Sequence, residues 1–210
     1  MYLCRFPADL HFFRNYESPM ELLGMELDTF FKKPDQQSVW EAARSSGAAP
    51  TYFKKYGQFV DGGLIANNPT LDILTEIQEY NFALQHRDPT AEPQKVGLVV
   101  SLGTGETPEE EVDSVGLNWS GAENLTRLLV GLATGTTPRV VDRARAWCNM
   151  AGIKYFSFNP PLAQRIFLDE TNDEVTKYNK KNTLAITLYS AHNGNGYMKN
   201  IPKQVCLTLA

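Results

Sequence analysis

One stretch constrains the fold more than any other: Gln58-Phe59-Val60-Asp61-Gly62-Gly63-Leu64-Ile65-Ala66-Asn67-Asn68-Pro69. Phe59 and Val60 carry β propensity. Asp61 follows at once, and Gly62-Gly63 permits a backbone conformation closed to other residues. Asn68 is a good helix N-cap, and Pro69 stands where a first helical residue belongs. The pattern is a strand, an acidic turn and a helix. A carboxylate at a strand end beside a glycine turn is a common place for a catalytic group. The same aspartate can equally serve the turn by binding its own backbone. Both readings stand at this point.

The neighbouring segments extend the pattern. Leu10–Phe13 reads as a strand ending at Arg14-Asn15, and a chain that starts so close to a core-like strand reads as truncated. Residues 17–37 read as an irregular connection with a short helical turn. Ser38 opens a helix with Val39, Trp40 and Ala43 on one side, and Gly47 stops it. Tyr52–Phe53 and Gln58–Val60 flank a turn at Lys55-Tyr56-Gly57 and predict a short hairpin. Leu71, Leu74, Ile77 and Leu84 have helical spacing and predict a helix over Pro69–Gln85. The apolar run Lys95–Leu102 suits a strand covered on both faces, as in a parallel sheet, and Gly103-Thr104-Gly105 ends it. Residues 106–120 read as an acidic excursion, and Leu125–Leu132 as a helix. Pro138 begins another helix, with Val140, Val141, Ala144 and Trp147 inward and Arg139, Arg143 and Arg145 outward. Ile153–Phe158 is a strand, residues 173–189 a last helix, and residues 190–210 change character. Strands alternating with helices give an α/β class.

Composition narrows the function. A net charge of -4 over 210 residues leaves no basic footprint for nucleic acid. No apolar run approaches the ~18 residues of a membrane span. Met1–Leu10 holds Arg5, Pro7 and Asp9 and does not resemble a secretory signal. Cys4, Cys148 and Cys206 are odd in number and widely spaced, which fits reduced thiols in a cytoplasmic protein. The two Asn-x-Ser/Thr matches, at Asn118 and Asn124, read as chance.

If Asp61 is a general base, it needs a nucleophile within hydrogen-bond reach. No serine in the chain sits in a Gly-x-Ser-x-Gly elbow: Ser45, Ser101 and Ser120 each lack the preceding glycine. His11 sits on an apolar stretch, His86 in a charged loop and His192 in the tail, so no triad assembles. No His, Cys or carboxylate pair has metal-ligand spacing, so neither metal nor cofactor is expected. Gly103-Thr104-Gly105 lacks the third glycine of a dinucleotide fingerprint, where Pro108 stands, so a sharp strand-to-loop turn is the better account. The Arg139–Arg145 stripe reads as a solvated helix face.

Two runs nonetheless carry a strong resemblance. Val39-Trp40-Glu41-Ala42-Ala43-Arg44-Ser45-Ser46-Gly47-Ala48-Ala49-Pro50-Thr51-Tyr52-Phe53 and Asp61–Thr70 closely resemble patatin-like phospholipases. Within that family the chain looks most like the animal calcium-independent phospholipases A2 with ankyrin repeats. His11–Tyr16, Thr75–Asn81, Val99–Gly105 and Val141–Cys148 support it, and the likeness covers about residues 9–175. It implies part of a three-layer α/β/α fold with a mostly parallel central sheet, the N-terminal part missing. Residues 1–189 would be the C-terminal part of the patatin-like domain, its signature core ending near 75, with an extension beyond. Residues 190–210 would be a divergent tail.

The resemblance also implies chemistry. The family hydrolyses glycerophospholipid acyl esters with a Ser-Asp dyad and no calcium. Asp61, Gly62 and Gly63 match its Asp-Gly-Gly motif, so Asp61 would be the dyad base. The serine elbow and the oxyanion turn are absent from this chain, so the chain alone is expected to be inactive. The implied partners are a phospholipid substrate, a membrane surface bound peripherally, and a second copy or a full-length family subunit. The family's link with calmodulin is not carried over, because the matching loop, Gln85–Lys95, holds Pro89 and Pro93. The alternatives are a non-catalytic short form that modulates full-length subunits, or an incomplete gene model.

Overall fold

The computed structural model of the chain describes residues 2–3, 9–25, 32–50, 52–106, 108, 138–162, 164, 166, 171–173 and 205–209. These fall into two compact units, one up to Lys95 and one from Val96 onward.

In the first unit, β1 (Tyr2–Leu3) pairs antiparallel with β2 (Phe59–Val60), Tyr2 opposite Val60. Helix α1 (Pro19–Leu22) starts on a capping box. Ser18 Oγ accepts from the Glu21 amide at 3.2 Å, and the Glu21 carboxylate accepts from the Ser18 amide at 2.7 Å. Pro19 follows at the first helical position, where its missing N–H costs nothing. Pro34–Gln36 forms a 3₁₀ turn, and α2 (Val39–Ser46) ends at Gly47. A four-residue helix, α3 (Gly63–Ala66), leads into α4 (Thr70–Arg87). Helix α4 buries Leu74 and Ala83 and packs with α1, whose Leu22 is also buried. Its Asn81 holds the following loop through two bonds: Nδ2 donates to Gln94 O at 2.8 Å, and Oδ1 accepts from Gln94 N at 2.7 Å.

The same helix carries a charge into this core. Glu76 is 5% exposed. Arg14 grips it bidentately, at 2.5 and 2.8 Å, and the Tyr16 hydroxyl donates to it at 3.2 Å. A paired guanidinium and carboxylate of this geometry offset their desolvation, whereas either one alone does not.

The second unit is a parallel sheet in the order β4-β3-β5, with β3 (Leu98–Leu102) between β4 (Lys154–Phe158) and β5 (Val205–Leu209). Leu98 lies opposite Lys154 on one side and Val205 on the other. Leu98, Val99 and Ser101 are buried, as a strand hydrogen-bonded on both edges requires. Parallel neighbours need a crossover, and α5 (Pro138–Met150) lies in the one between β3 and β4 and packs on β4. Its Ala144 and Cys148 are buried, while Arg139, Arg143 and Arg145 are exposed, as the spacing predicts.

Several expectations are corrected. The strand over Leu10–Phe13 does not form: Leu10 alone makes a bridge, and residues 11–14 are irregular. Ring packing holds this stretch instead, with His11 and Phe13 centred 5.3 and 5.5 Å from Phe59. The hairpin shrinks to a single Tyr56–Phe59 bridge around Gly57, whose φ of 59° suits glycine. Tyr52 and Phe53 lie in a turn whose two amides both donate to Ala49 O. The helix expected over about Pro69–Gln85 does form, at Thr70–Arg87. The side of α2 that holds Val39, Trp40 and Ala43 faces outward, and Ser45 is its buried residue. Residues 190–210 carried no expectation of an element, and Val205–Leu209 there forms a strand of the parallel sheet. The excursion beyond Glu106, the Leu125–Leu132 helix and most of residues 173–189 lie outside the described residues.

The Arg14–Glu76 pair gives a test. Glu76→Ala should lower stability by about 2–3 kcal/mol, since it strands a part-buried guanidinium. Arg14→Ala should cost at least as much, because Glu76 is the more deeply buried partner. Urea denaturation of both variants and of the double variant should show a double-variant cost below the sum of the two.

Candidate active site

Asp61 stands immediately after β2 and is partly exposed. Its amide donates to Ala48 O at 3.2 Å, which ties the strand end to the turn after α2. Its Oδ1 accepts from the Gly63 amide at 2.7 Å. That amide is a first-turn donor of α3 with no partner inside the helix, so the carboxylate satisfies it in the manner of an N-cap. The turn-forming reading of Asp61 is thus what the geometry contains. The bond uses one oxygen. Among the described residues Asp61 makes no other side-chain hydrogen bond, and no serine hydroxyl or imidazole bonds to it.

The two glycines act differently from the expectation. Neither has a positive φ, and Gly62 sits in ordinary right-handed geometry at φ -66°, ψ -21°. At 63 the surroundings are tight, although the neighbouring side chains could relieve a Cβ by shifting a few tenths of an ångström. A Cβ there would lie 3.2 Å from Asp61 Oδ1 and 3.4 Å from Asn67 Oδ1. Two polar side chains therefore converge on Gly63.

The loop closes at Asn68, which is 6% exposed. Its Oδ1 accepts from the Thr70 amide at 3.2 Å and the Thr70 hydroxyl at 2.7 Å. The expected cap is corrected here: Pro69 holds the N-cap position of α4 and Asn68 precedes it, binding Thr70 as a local side-chain turn instead of as the cap.

The other candidates lie apart from this loop. Ser45 and Ser101 are buried in α2 and β3. His86 is in the last turn of α4, with its ring 6.5 Å from Phe82. Ser120 and His192 lie outside the described residues. The Gly103-Thr104-Gly105 segment is a strand-to-loop turn: Gly105, at φ 117°, donates to Asn159 Oδ1 at 2.8 Å, and a Cβ at 103 would collide with the Asn159 side chain. Arg145 pairs with Asp142 at 2.6 Å on the exposed face of α5. Among the described residues no three His, Cys, Asp or Glu side chains gather as metal ligands, and no helix is long and apolar enough to cross a membrane.

Sequence reasoning left His11 as a structural residue. Burial, reinforced by the Arg14 guanidinium and opposed by Asp9, lowers its imidazole from 6.5 to about 4. It missed Glu76 as the partner of Arg14, because residues so far apart leave no local signal.

No protein-family model matches the chain. Curated relatives do. The 85/88 kDa calcium-independent phospholipase A2 of Mus musculus is 46% identical over 187 residues, covering 81% of this chain and 23% of the relative. Its counterpart in Rattus norvegicus is 45% identical over 190 residues, with the same shares covered. The chain belongs to the calcium-independent phospholipase A2 family. The intracellular phospholipase A2 of Caenorhabditis elegans is a more distant relative, 30% identical over 177 residues, 80% of this chain and 16% of that protein. The chain thus spans about a quarter of the length of the mouse and rat relatives.

Two variants test the local role of Asp61. Asp61→Ala should cost about 1 kcal/mol, because the Gly63 amide loses its acceptor. Asp61→Asn keeps an acceptor and should lie within a few tenths of a kcal/mol of the parent in thermal or urea unfolding. The histidine gives a pH test. With its folded pKa depressed, His11 stays neutral in the native state while the unfolded chain takes up a proton below about 6.5. Stability should be level above that pH and fall as pH drops toward about 4, by about 1 kcal/mol given the ring's partial exposure. His11→Gln should remove this component between pH 6.5 and 5, read from urea midpoints.

Proposed function

We propose that this chain is the C-terminal part of a phospholipase A2-like serine acylhydrolase, with Asp61 as base of a Ser-Asp dyad in the complete enzyme. The complete fold would be the three-layer patatin-like one, and the setting cytoplasmic. The observation that carries the proposal is the disposition of Asp61. It ends a strand, its backbone is pinned to Ala48, and Gly63 holds one carboxylate oxygen while the other makes no bond among the described residues. The family's Asp-Gly-Gly motif falls on Asp61, Gly62 and Gly63 within a chain 46% identical to a calcium-independent phospholipase A2.

In such a dyad the serine hydroxyl attacks the acyl carbon of the phospholipid ester. Its proton passes to the unbonded carboxylate oxygen and then to the leaving lysophospholipid alkoxide. Water then releases the fatty acid from the acyl-enzyme by the same proton path. The Gly63 amide contributes by fixing the carboxylate's rotation, so that a reacting hydroxyl meets the same oxygen each time. A lone aspartate supplies neither the nucleophile nor the oxyanion donors, so the chain by itself does not turn over.

The test is release of fatty acid from phosphatidylcholine, or of chromophore from an activated acyl ester, by the purified chain. No release above the rate with Asp61→Ala is expected. In a full-length relative, the Asn variant at the aligned aspartate should lower kcat by about a thousandfold or more. Robust turnover by the chain that survives Asp61→Ala would overturn both the inactivity and the assignment of the base.

A further inference from the structure

Residues 85–90, from the last turn of α4 into the loop beyond it, are exposed without a break, and residues 88–97 form no helix or strand. The loop runs from the end of α4 to Gln94, where Asn81 fixes the chain again. Between these anchors it turns once. Asp88 Oδ1 accepts from the Thr90 hydroxyl at 2.7 Å and from the Thr90 amide at 2.9 Å, and Asp88 O accepts from the Ala91 amide at 3.0 Å. Arg87 stands beside that turn. Its guanidinium donates to Glu17 Oε2 at 3.0 Å, and both partners are more than half exposed. Exposed pairs of this kind are weak, so Arg87 can change partner at little cost. The Thr90 bonds hold the Asp88 carboxylate below its usual range, and the Arg87 charge adds to the effect. The arginine's field therefore reaches the carboxylate that Thr90 bonds.

The sequence singles out the same hydroxyl. Of all the serines and threonines in the chain, Thr90 alone has an arginine three residues before it. Kinases that select basic substrates read such charge patterns. The acceptor hydroxyl has to reach the γ-phosphate, the backbone around it has to lie extended in the kinase cleft, and the guanidinium has to meet acidic side chains there. An exposed threonine in a loop without secondary structure, with Arg87 at that spacing, offers all three.

We propose that Thr90 is a phosphorylation site for a serine/threonine kinase that selects an arginine three residues before the acceptor. In the transfer the Thr90 oxygen attacks the γ-phosphorus of magnesium-bound ATP. The bond from that phosphorus to the ADP oxygen breaks, ADP leaves, and the hydroxyl proton passes to the kinase's catalytic aspartate. The product has no hydroxyl proton left for Asp88. Its negative charge faces that carboxylate at the C-terminal end of α4, where the helix dipole also opposes it. The turn at Asp88–Ala91 opens, and the phosphate draws Arg87 away from Glu17. The pair that ties the end of α4 to the segment before α1 is thereby released. The proposal goes beyond the catalytic reading and does not depend on Asp61.

Incubation of the full chain with magnesium-ATP and the catalytic subunit of cAMP-dependent protein kinase, read by intact and tandem mass spectrometry, tests it. Phosphate should appear at Thr90. Thr90→Ser should still accept it there, and Thr90→Ala should not. Arg87→Ala should lower kcat/KM for the transfer by about tenfold, the worth of one charge-assisted hydrogen bond. Glu17→Ala leaves Arg87 in place without its partner and should be phosphorylated at least as fast as the parent. These residues are exposed, so the variants should keep the parent's circular dichroism. Hydrogen exchange at the Thr90 and Ala91 amides should become several-fold faster in the phosphorylated chain. The inference fails if no phosphate reaches residue 90, or if Arg87→Ala is phosphorylated as fast as the parent. It also fails if the two amides exchange at the same rate with and without the phosphate. Asp61→Ala should accept phosphate like the parent, which separates this inference from the catalytic one.

Discussion

A carboxylate that is almost fully buried sets the terms for the first unit. Glu76 lies on the face of α4 that packs inward, where an unpaired charge would cost several kcal/mol. Its two partners, Arg14 and Tyr16, come from a stretch about sixty residues earlier in the chain. That requirement holds the irregular segment 9–17 against α4 without a strand ladder. Ser18 then starts α1 on its capping box, and α1 packs on the same helix. The rings of His11, Phe13 and Phe59 carry the connection on to β2, the strand from which Asp61 emerges. Charge pairing, aromatic packing and the placement of the candidate base are thus linked through shared residues.

The loop from Asp61 to Thr70 is held by side chains that bind nearby backbone. Asp61 accepts from the second residue after it, and Asn68 does the same with Thr70. Both are the short-range bonds that Asp and Asn make readily at helix starts. Between them lies the single turn of α3, too short to be stable alone. Asp61 holds its first amide and Asn68 holds the start of the next helix just beyond it, so the turn is bracketed by two local side-chain bonds. The rigidity that a catalytic carboxylate needs and the capping that the turn needs are supplied by the same bond. The structural and functional readings of Asp61 therefore do not compete.

Much of this was legible in local patterns. The apolar run ending at Leu102 announced a strand hydrogen-bonded on both sides, and the Val140, Val141, Ala144 and Trp147 spacing announced the inner face of α5. Asn68 announced a local side-chain bond near a helix start, though the cap position itself fell on Pro69. The failures share a cause as well. Leu10–Phe13 alternates like a strand, yet its aromatic rings found a better arrangement by packing on Phe59 than by pairing backbone. Tyr52–Phe53 has β propensity, but Pro50 and the amides bonded to Ala49 O close a turn first. The spacing put Val39, Trp40 and Ala43 on one side of α2, and periodicity alone does not say which side turns inward. The role of Gly63 was misassigned because glycine spacing reports need for a small residue without telling conformation from crowding. The Arg14–Glu76 pair and the strand at Val205–Leu209 depend on contacts across long separations, which no window of sequence contains.

The remaining polar atoms point in one direction. Among the described residues, four buried side-chain atoms lack a hydrogen-bond partner: Gln37 Oε1, Ser45 Oγ, Asn68 Nδ2 and Tyr155 OH. Two of them belong to the immediate surroundings of the candidate base. Ser45 is one turn before Ala48, whose carbonyl receives the Asp61 amide, and Asn68 closes the loop that Asp61 opens. An orphaned buried donor costs about 1–3 kcal/mol, so folded proteins keep few of them and rarely place two beside one loop without use. The Ser45 hydroxyl can donate or accept, whereas the Asn68 amide nitrogen can only donate, so the unmet demand around this loop is chiefly for acceptors.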